Sequence, residues 1–111
     1  MDNVKNAAYY VQNILTDLRF IAKHMEGVTQ EKLEEDEIFL NAMLFRLIQF
    51  WESAKKLTEE YKASHKTIPW VDIAGLRNRL VHDYGNVDLR VIYLTLSEDI
   101  PALIKELEKM E

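Results

Sequence analysis

Ala7-Ala8-Tyr9-Tyr10-Val11-Gln12-Asn13-Ile14-Leu15-Thr16-Asp17-Leu18-Arg19-Phe20-Ile21-Ala22-Lys23-His24-Met25 is the stretch that decides the fold class. Ala7, Val11, Ile14, Leu18, Ile21 and Met25 recur at spacings of three and four, the period of an α-helix, and form one apolar stripe. A helix of this kind is stable only when that stripe is buried against other elements. Gly27 stands just past the end of the pattern, where helices commonly stop.

Downstream, Thr29 offers an N-cap ahead of Gln30 and Glu31, and a long second helix is predicted. Leu33, Leu40, Leu44, Leu47, Trp51, Ala54, Leu57 and Tyr61 share its stripe. Its first turns carry Glu31, Glu34, Glu35 and Asp36 and its end carries Lys55, Lys56 and Lys62, which suits the helix dipole. The periodicity lapses between Ala63 and Ile68. Pro69, with its fixed φ, predicts the start of a third helix running from about Trp70. Gly85-Asn86 would end it in the left-handed conformation. A last helix is predicted from the N-cap Asp88, carrying Val91, Ile92, Leu94, Ile100, Leu103, Ile104 and Leu107, and Pro101 should kink or split it. Three short connections favour antiparallel neighbours. The expectation is an all-α, up-and-down four-helix bundle in which residues 1–111 form one domain.

The composition agrees. It is 48% hydrophobic and 30% charged with only 3 Gly and 2 Pro, which suits packed helices and not disorder or a turn-rich β fold. No run approaches the roughly 20 apolar residues of a membrane span. Met1-Asp2-Asn3-Val4-Lys5 lacks the apolar region of a signal peptide, so a cytoplasmic protein is expected. Without Cys there is no disulfide framework or thiolate metal site. His24 and His65 read as surface residues, and no His pair has metal-ligand spacing. There is no phosphate-cradling glycine loop and no Ser/His/Asp pattern. Neither metal nor cofactor is expected.

The net charge of −5 argues against a general nucleic-acid binder. Its distribution is uneven. Residues 46–90 hold 8 Lys+Arg against 6 Asp+Glu, whereas residues 1–45 hold 4 against 8 and residues 91–111 hold 2 against 5. The one positive segment contains Arg77-Asn78-Arg79-Leu80-Val81-His82-Asp83-Tyr84. Arg supplies a permanent forked cation suited to phosphate oxygens, His exchanges a proton near neutral pH, and Tyr offers a ring or a hydroxyl.

At about 100° per residue Arg77 and Tyr84 share a helix face, while Arg77 and His82 lie about 140° apart and flank one groove. Asn78 and His82, four apart, also share a face, and Arg79 with Asp83 reads as a surface ion pair. The compatible chemistry is metal-free RNA cleavage, in which the ribose 2′-hydroxyl attacks its own phosphorus and leaves a 2′,3′-cyclic phosphate and a 5′-hydroxyl. His82 would move the proton, a role worth on the order of 10²–10⁴-fold. Arg77 would stabilise the phosphorane charge. One His per chain serves poorly as both base and acid, and a two-fold dimer would bring two copies together. Such a triplet also arises by chance in helices, and Tyr84 would serve equally as a buried helix-end anchor.

The run resembles the Arg-x4-His-x-Tyr signature of HEPN-domain ribonucleases, most closely the HepT-like toxins paired with a minimal nucleotidyltransferase antitoxin. Glu52-Ser53-Ala54-Lys55-Lys56-Leu57 is similar to that family's Gly-Glu-Ala-Ala-Lys-x-Leu segment. Ile68-Pro69-Trp70-Val71-Asp72-Ile73-Ala74-Gly75-Leu76-Arg77-Asn78 is similar to its Ile-Pro-Trp-x-x-Ile-x-Gly-x-Arg-Asn. Gly85-Asn86-Val87-Asp88 and Asp99-Ile100-Pro101-x-Leu103 follow at the usual intervals. The match is clear over residues 50–107. Trp51 departs from the pattern where the family has a small glycine, and Tyr93 where it often has Trp; Trp51 would narrow the groove if that face lines it.

The resemblance implies a homodimeric helical bundle and a metal-independent endoribonuclease toxin acting on RNA, with tRNA a plausible target class. It implies that Arg77 and His82 carry catalysis, that Asn78 supports them, and that the antitoxin transfers AMP to Tyr84. Two alternatives belong to other function classes. One is a non-catalytic module that binds the nucleotidyltransferase or its nucleotide; the other is a structural bundle or dimer with no anionic ligand.

Overall fold

Asn6 starts the first helix: its side-chain oxygen accepts the backbone N–H of Tyr9 at 2.9 Å, satisfying one of the free donors of the first turn. The structure is a computed structural model that describes residues 6–82 and 84–109. All regular elements among the described residues are helical. They are α1 (Ala7–Met25), α2 (Gln30–Glu35), α3 (Glu37–Lys55), α4 (Glu59–Ser64), α5 (Trp70–His82), α6 (Leu89–Leu94) and α7 (Ile100–Glu108). None of them is long and apolar enough to cross a membrane.

The stripe of α1 is buried as its spacing predicts: Val11, Ile14, Leu18, Ile21 and Met25 lie in the core, joined by Leu15. Gly27 ends the turn after it at φ 72°, the left-handed region that glycine enters without steric cost. Opposite, α3 contributes Leu40, Met43, Leu44, Leu47, Phe50, Trp51 and Ala54, and α7 contributes Ile100, Leu103 and Leu107. Two ion pairs tie these layers, the part-buried Arg46–Asp17 at 2.9 Å and the exposed Arg19–Glu108 at 2.8 Å. Tyr93 donates its hydroxyl to the Val28 carbonyl at 3.0 Å, so α6 meets the end of α1 while Glu108 meets its middle. The body running from α6 through Thr95–Asp99 into α7 is therefore antiparallel to α1.

The long second helix is divided. Asp36 leaves the helical region at φ −103°, ψ 88°, and its carboxylate caps α3 by accepting the Phe39 N–H at 3.0 Å. Thr58 does the same for α4, accepting the Tyr61 N–H at 3.0 Å. Short polar side chains that bond their own backbone compete with the helical ladder. The apolar positions persist through both breaks, since Leu33, Leu57 and the α3 stripe are all buried. Periodicity alone therefore did not register the interruptions. α5 begins directly after Pro69, whose carbonyl accepts the Ile73 N–H at 3.0 Å. Its end also differs from expectation: Tyr84–Asn86 forms a 3-10 turn, and Gly27 is the positive-φ glycine of the described residues, not Gly85.

Asp88 caps α6 as predicted, accepting the Arg90 N–H at 2.8 Å. Pro101 is accommodated by a π-helical turn at Thr95–Asp99. Proline has no N–H for the Ser97 carbonyl, and its ring crowds that carbonyl. One extra residue in the turn relieves the conflict, with Ile100 donating to Thr95. The hydroxyls of Thr95 and Ser97 donate back to the Val91 and Tyr93 carbonyls at 2.9 and 2.8 Å.

Candidate active site

Three elements meet around Arg77. The C-terminal half of α3 presents Trp51, Glu52 and Lys55 on one side, α4 presents Lys62, and α5 presents Trp70, Arg77 and Asn78. The loop between α4 and α5 is held by its own side chains. His65 stacks on Tyr61 with ring centroids 4.2 Å apart and donates Nδ1–H to the Tyr61 carbonyl at 2.7 Å. Burial raises the Tyr61 hydroxyl above its ordinary range. Trp70 donates its indole N–H to the His65 carbonyl at 3.1 Å, which fixes the ring at the mouth of the site. Ile68 is buried beneath the loop.

Arg77 donates to the Asn78 side-chain oxygen at 3.2 Å and approaches Glu52 Oε2 at 3.5 Å. The same carboxylate oxygen is 3.6 Å from Lys55 Nζ. Both approaches are longer than an N–H···O hydrogen bond. Glu52 Oε2 and Arg77 Nε are accordingly buried polar atoms that attract charge but complete no hydrogen bond. Arg77 is thus held loosely, with donor capacity left over. A pocket of about 240 Å³ opens beside it, lined by Trp51, Lys55, Lys62, Trp70 and Asn78 among others.

The expected site residues are distributed as follows. Arg77 and Asn78 are together, on adjacent positions of α5 and hydrogen-bonded. His82 is the last residue of α5, is exposed, does not line the Arg77 pocket, and has no hydrogen bond or ion pair to another described residue. Within one chain the fold therefore does not close Arg77 and His82 into a single bonded pair. The backbone of Tyr84 opens the 3-10 turn, but its side chain lies outside the described residues, as does Asp83, the expected partner of Arg79. His24 is exposed, as expected, whereas His65 is half-buried. Trp51 does line the groove: it is 3% exposed and forms a wall between this pocket and a larger one of about 360 Å³. The sequence reading did not foresee Glu52 as the partner of Arg77, or Lys62 and Trp70 as neighbours. The pairing joins residues 25 positions apart on separate helices, for which local spacing carries no signal.

The model of the Ribonuclease HepT-like family matches residues 14–110. The chain belongs to the HepT-like ribonuclease family. A relative from Caldanaerobacter subterraneus subsp. tengcongensis, provisionally named as an RNase, is 30% identical over 107 residues and covers 96% of each chain. A protein of Thermococcus cleftensis provisionally named ribonuclease HepT is 32% identical over 103 residues, 89% of this chain and 94% of its own. One of Methanocaldococcus jannaschii, also provisionally named as an RNase, is 27% identical over 108 residues, 97% of this chain and 87% of its own. No solved structure gives a significant match.

Proposed function

We propose that this HepT-like chain is a metal-independent endoribonuclease toxin, and that Arg77 and His82 carry its chemistry. The observation that supports the reading best is the state of Arg77: a guanidinium bordering a pocket, with a buried Nε–H that has no partner. A phosphate oxygen entering that pocket would pair with the guanidinium and place the phosphorane beside a permanent cation. Asn78 orients the guanidinium through its side-chain oxygen. His82, exposed at the end of the same helix, takes the 2′-hydroxyl proton or returns one to the 5′ leaving oxygen.

The active form is a homodimer. Ile38, Phe45 and Ile48 recur at helical spacing along α3, with Ile38 83% and Phe45 57% exposed. Val81, 43% exposed, sits next to His82 on α5. An apolar stripe of this kind, continuous with a shallow groove over Leu80, favours a self-complementary contact. That contact would bring two His82 rings to one cleft and divide the acid and base roles between them.

Neutralisation follows from Tyr84. A nucleotidyltransferase antitoxin directs the tyrosine oxygen to the α-phosphorus of ATP; pyrophosphate leaves, the hydroxyl proton passes to solvent, and AMP remains on the ring. An added phosphodiester two residues from His82 repels the substrate phosphate. RNA, with tRNA as one candidate class, is the substrate.

The test is cleavage of bulk RNA and tRNA by the purified protein in excess EDTA, beside His82→Ala, with intact mass measured for added AMP. Cleavage by unmodified wild type alone is the expected result. An unmodified wild type that cuts nothing would overturn the nuclease reading in favour of a module that binds the nucleotidyltransferase.

A further inference from the structure

Resting on the ribonuclease reading, we propose that the pocket between α3, α4 and α5 holds one nucleotide of the RNA strand. The Trp70 ring lies against its base, and Lys55 and Lys62 contact its phosphate. Four observations converge on this. In a chain of net charge −5 the pocket is lined by three cations, Lys55, Lys62 and Arg77, and by no carboxylate. The lysines' own ion pairs are long and lie within single helices, Lys55 with Glu52 at 3.6 Å and Lys62 with Glu59 at 3.8 Å, so neither is a hydrogen bond and a phosphate competes readily with both. Arg77 Nε is buried and unpaired at the same pocket. Trp70 is half-buried there with its indole N–H already committed to His65, which leaves the ring as a stacking surface and not as a donor. Lys62 Nζ lies over that ring, 6.0 Å from its centre and at the outer limit of a cation–π contact, so an entering base displaces it towards the phosphate.

The dimensions fit one nucleotide unit. At about 240 Å³ the pocket is smaller than the roughly 300–1,000 Å³ of sites that take drug-sized ligands, so it suits one planar ring with its phosphate. Base–aromatic stacking tolerates any base, so the pocket grips the strand without choosing sequence. The larger neighbouring pocket is the opposite case. Its rim carries Asp72, Asp99 and Glu106 and repels a phosphate backbone. Trp51 separates the two and confines the nucleotide to the basic side.

The experiment measures two quantities on the full chain: KM and kcat for a short RNA, and the Kd of a labelled 2′-O-methyl oligonucleotide. That oligonucleotide has no free 2′-hydroxyl and cannot be cut. Lys55→Gln/Lys62→Gln and Trp70→Leu are each expected to weaken Kd and raise KM by roughly tenfold or more, with kcat little changed. His82→Ala is expected to bind as tightly as wild type. Trp70→Phe, which keeps a ring, is expected to recover most of the loss. Should Trp70→Leu unfold by circular dichroism, the lysine pair decides alone. Unchanged Kd and KM in the lysine variant overturn the pocket while leaving the ribonuclease reading intact. If wild type binds the oligonucleotide through these residues but cuts no RNA, the pocket stands and the nuclease fails. If wild type neither binds nor cuts, both fail.

Discussion

The Arg77 guanidinium on α5 approaches the Glu52 carboxylate on α3 at 3.5 Å, and neither Arg77 Nε nor Glu52 Oε2 completes a hydrogen bond. The pair is a Coulombic tether, and a phosphate would compete with it for the arginine.

Glu52→Gln should therefore strengthen RNA binding. Partly exposed ion pairs contribute about 0–1 kcal/mol, so KM is expected to fall by up to about fivefold, and the gain should fade as salt rises. Steady-state kinetics at low and high salt checks this. A drop in kcat at constant KM would instead show that the carboxylate positions Arg77.

His82→Ala is expected to remove on the order of 10²–10⁴-fold of the cleavage rate and to leave stability within about 0.5 kcal/mol. The ring is exposed and bonds to no other described residue, so folding gains little from it. Thermal denaturation beside the rate assay separates the two effects. A marked loss of stability would identify a structural histidine.

Phe45→Glu should dissociate the proposed dimer without unfolding the protomer. The side chain is 57% exposed in the single chain, so a charge there costs little until a second copy must cover it. Sedimentation should read half the wild-type mass, with cleavage falling in parallel. A variant that stays dimeric would move the interface to another face.

Tyr84→Phe should fold and cut RNA, yet gain no mass when incubated with ATP and the nucleotidyltransferase. AMP appearing on another residue of this variant would refute the assignment.

Asp17 supplies a pH dependence. Burial pushes its carboxyl above the ordinary value of 3.8, against the opposing pull of the Arg46 guanidinium at 2.9 Å. A raised folded value means the folded chain holds this proton more tightly than the unfolded one. Its contribution is thus full below 3.8 and is lost as pH rises through the folded value. The stability of wild type relative to Asp17→Asn is expected to decline with rising pH across the acid range. A difference that grows with pH would mean that the ion pair with Arg46 outweighs burial.

By itself the sequence determined the parts whose cause is local. The stripe from Ala7 to Met25, the caps at Thr29 and Asp88, the Gly27 stop and the start after Pro69 each depend on residues within a few positions, and all are present. The conflict at Pro101 was legible too, though its resolution as a π turn was not, because a kink, a split and an added residue all relieve the missing N–H. The breaks at Asp36 and Thr58 were hidden, since an apolar stripe is blind to a side chain that caps. Tertiary structure alone decided the company of Arg77. Glu52 reaches it from α3, and Lys62 of α4 and Trp70 of α5 line the same pocket, because α5 packs against α3, and such packing depends on buried surface summed over distant residues rather than on spacing along the chain.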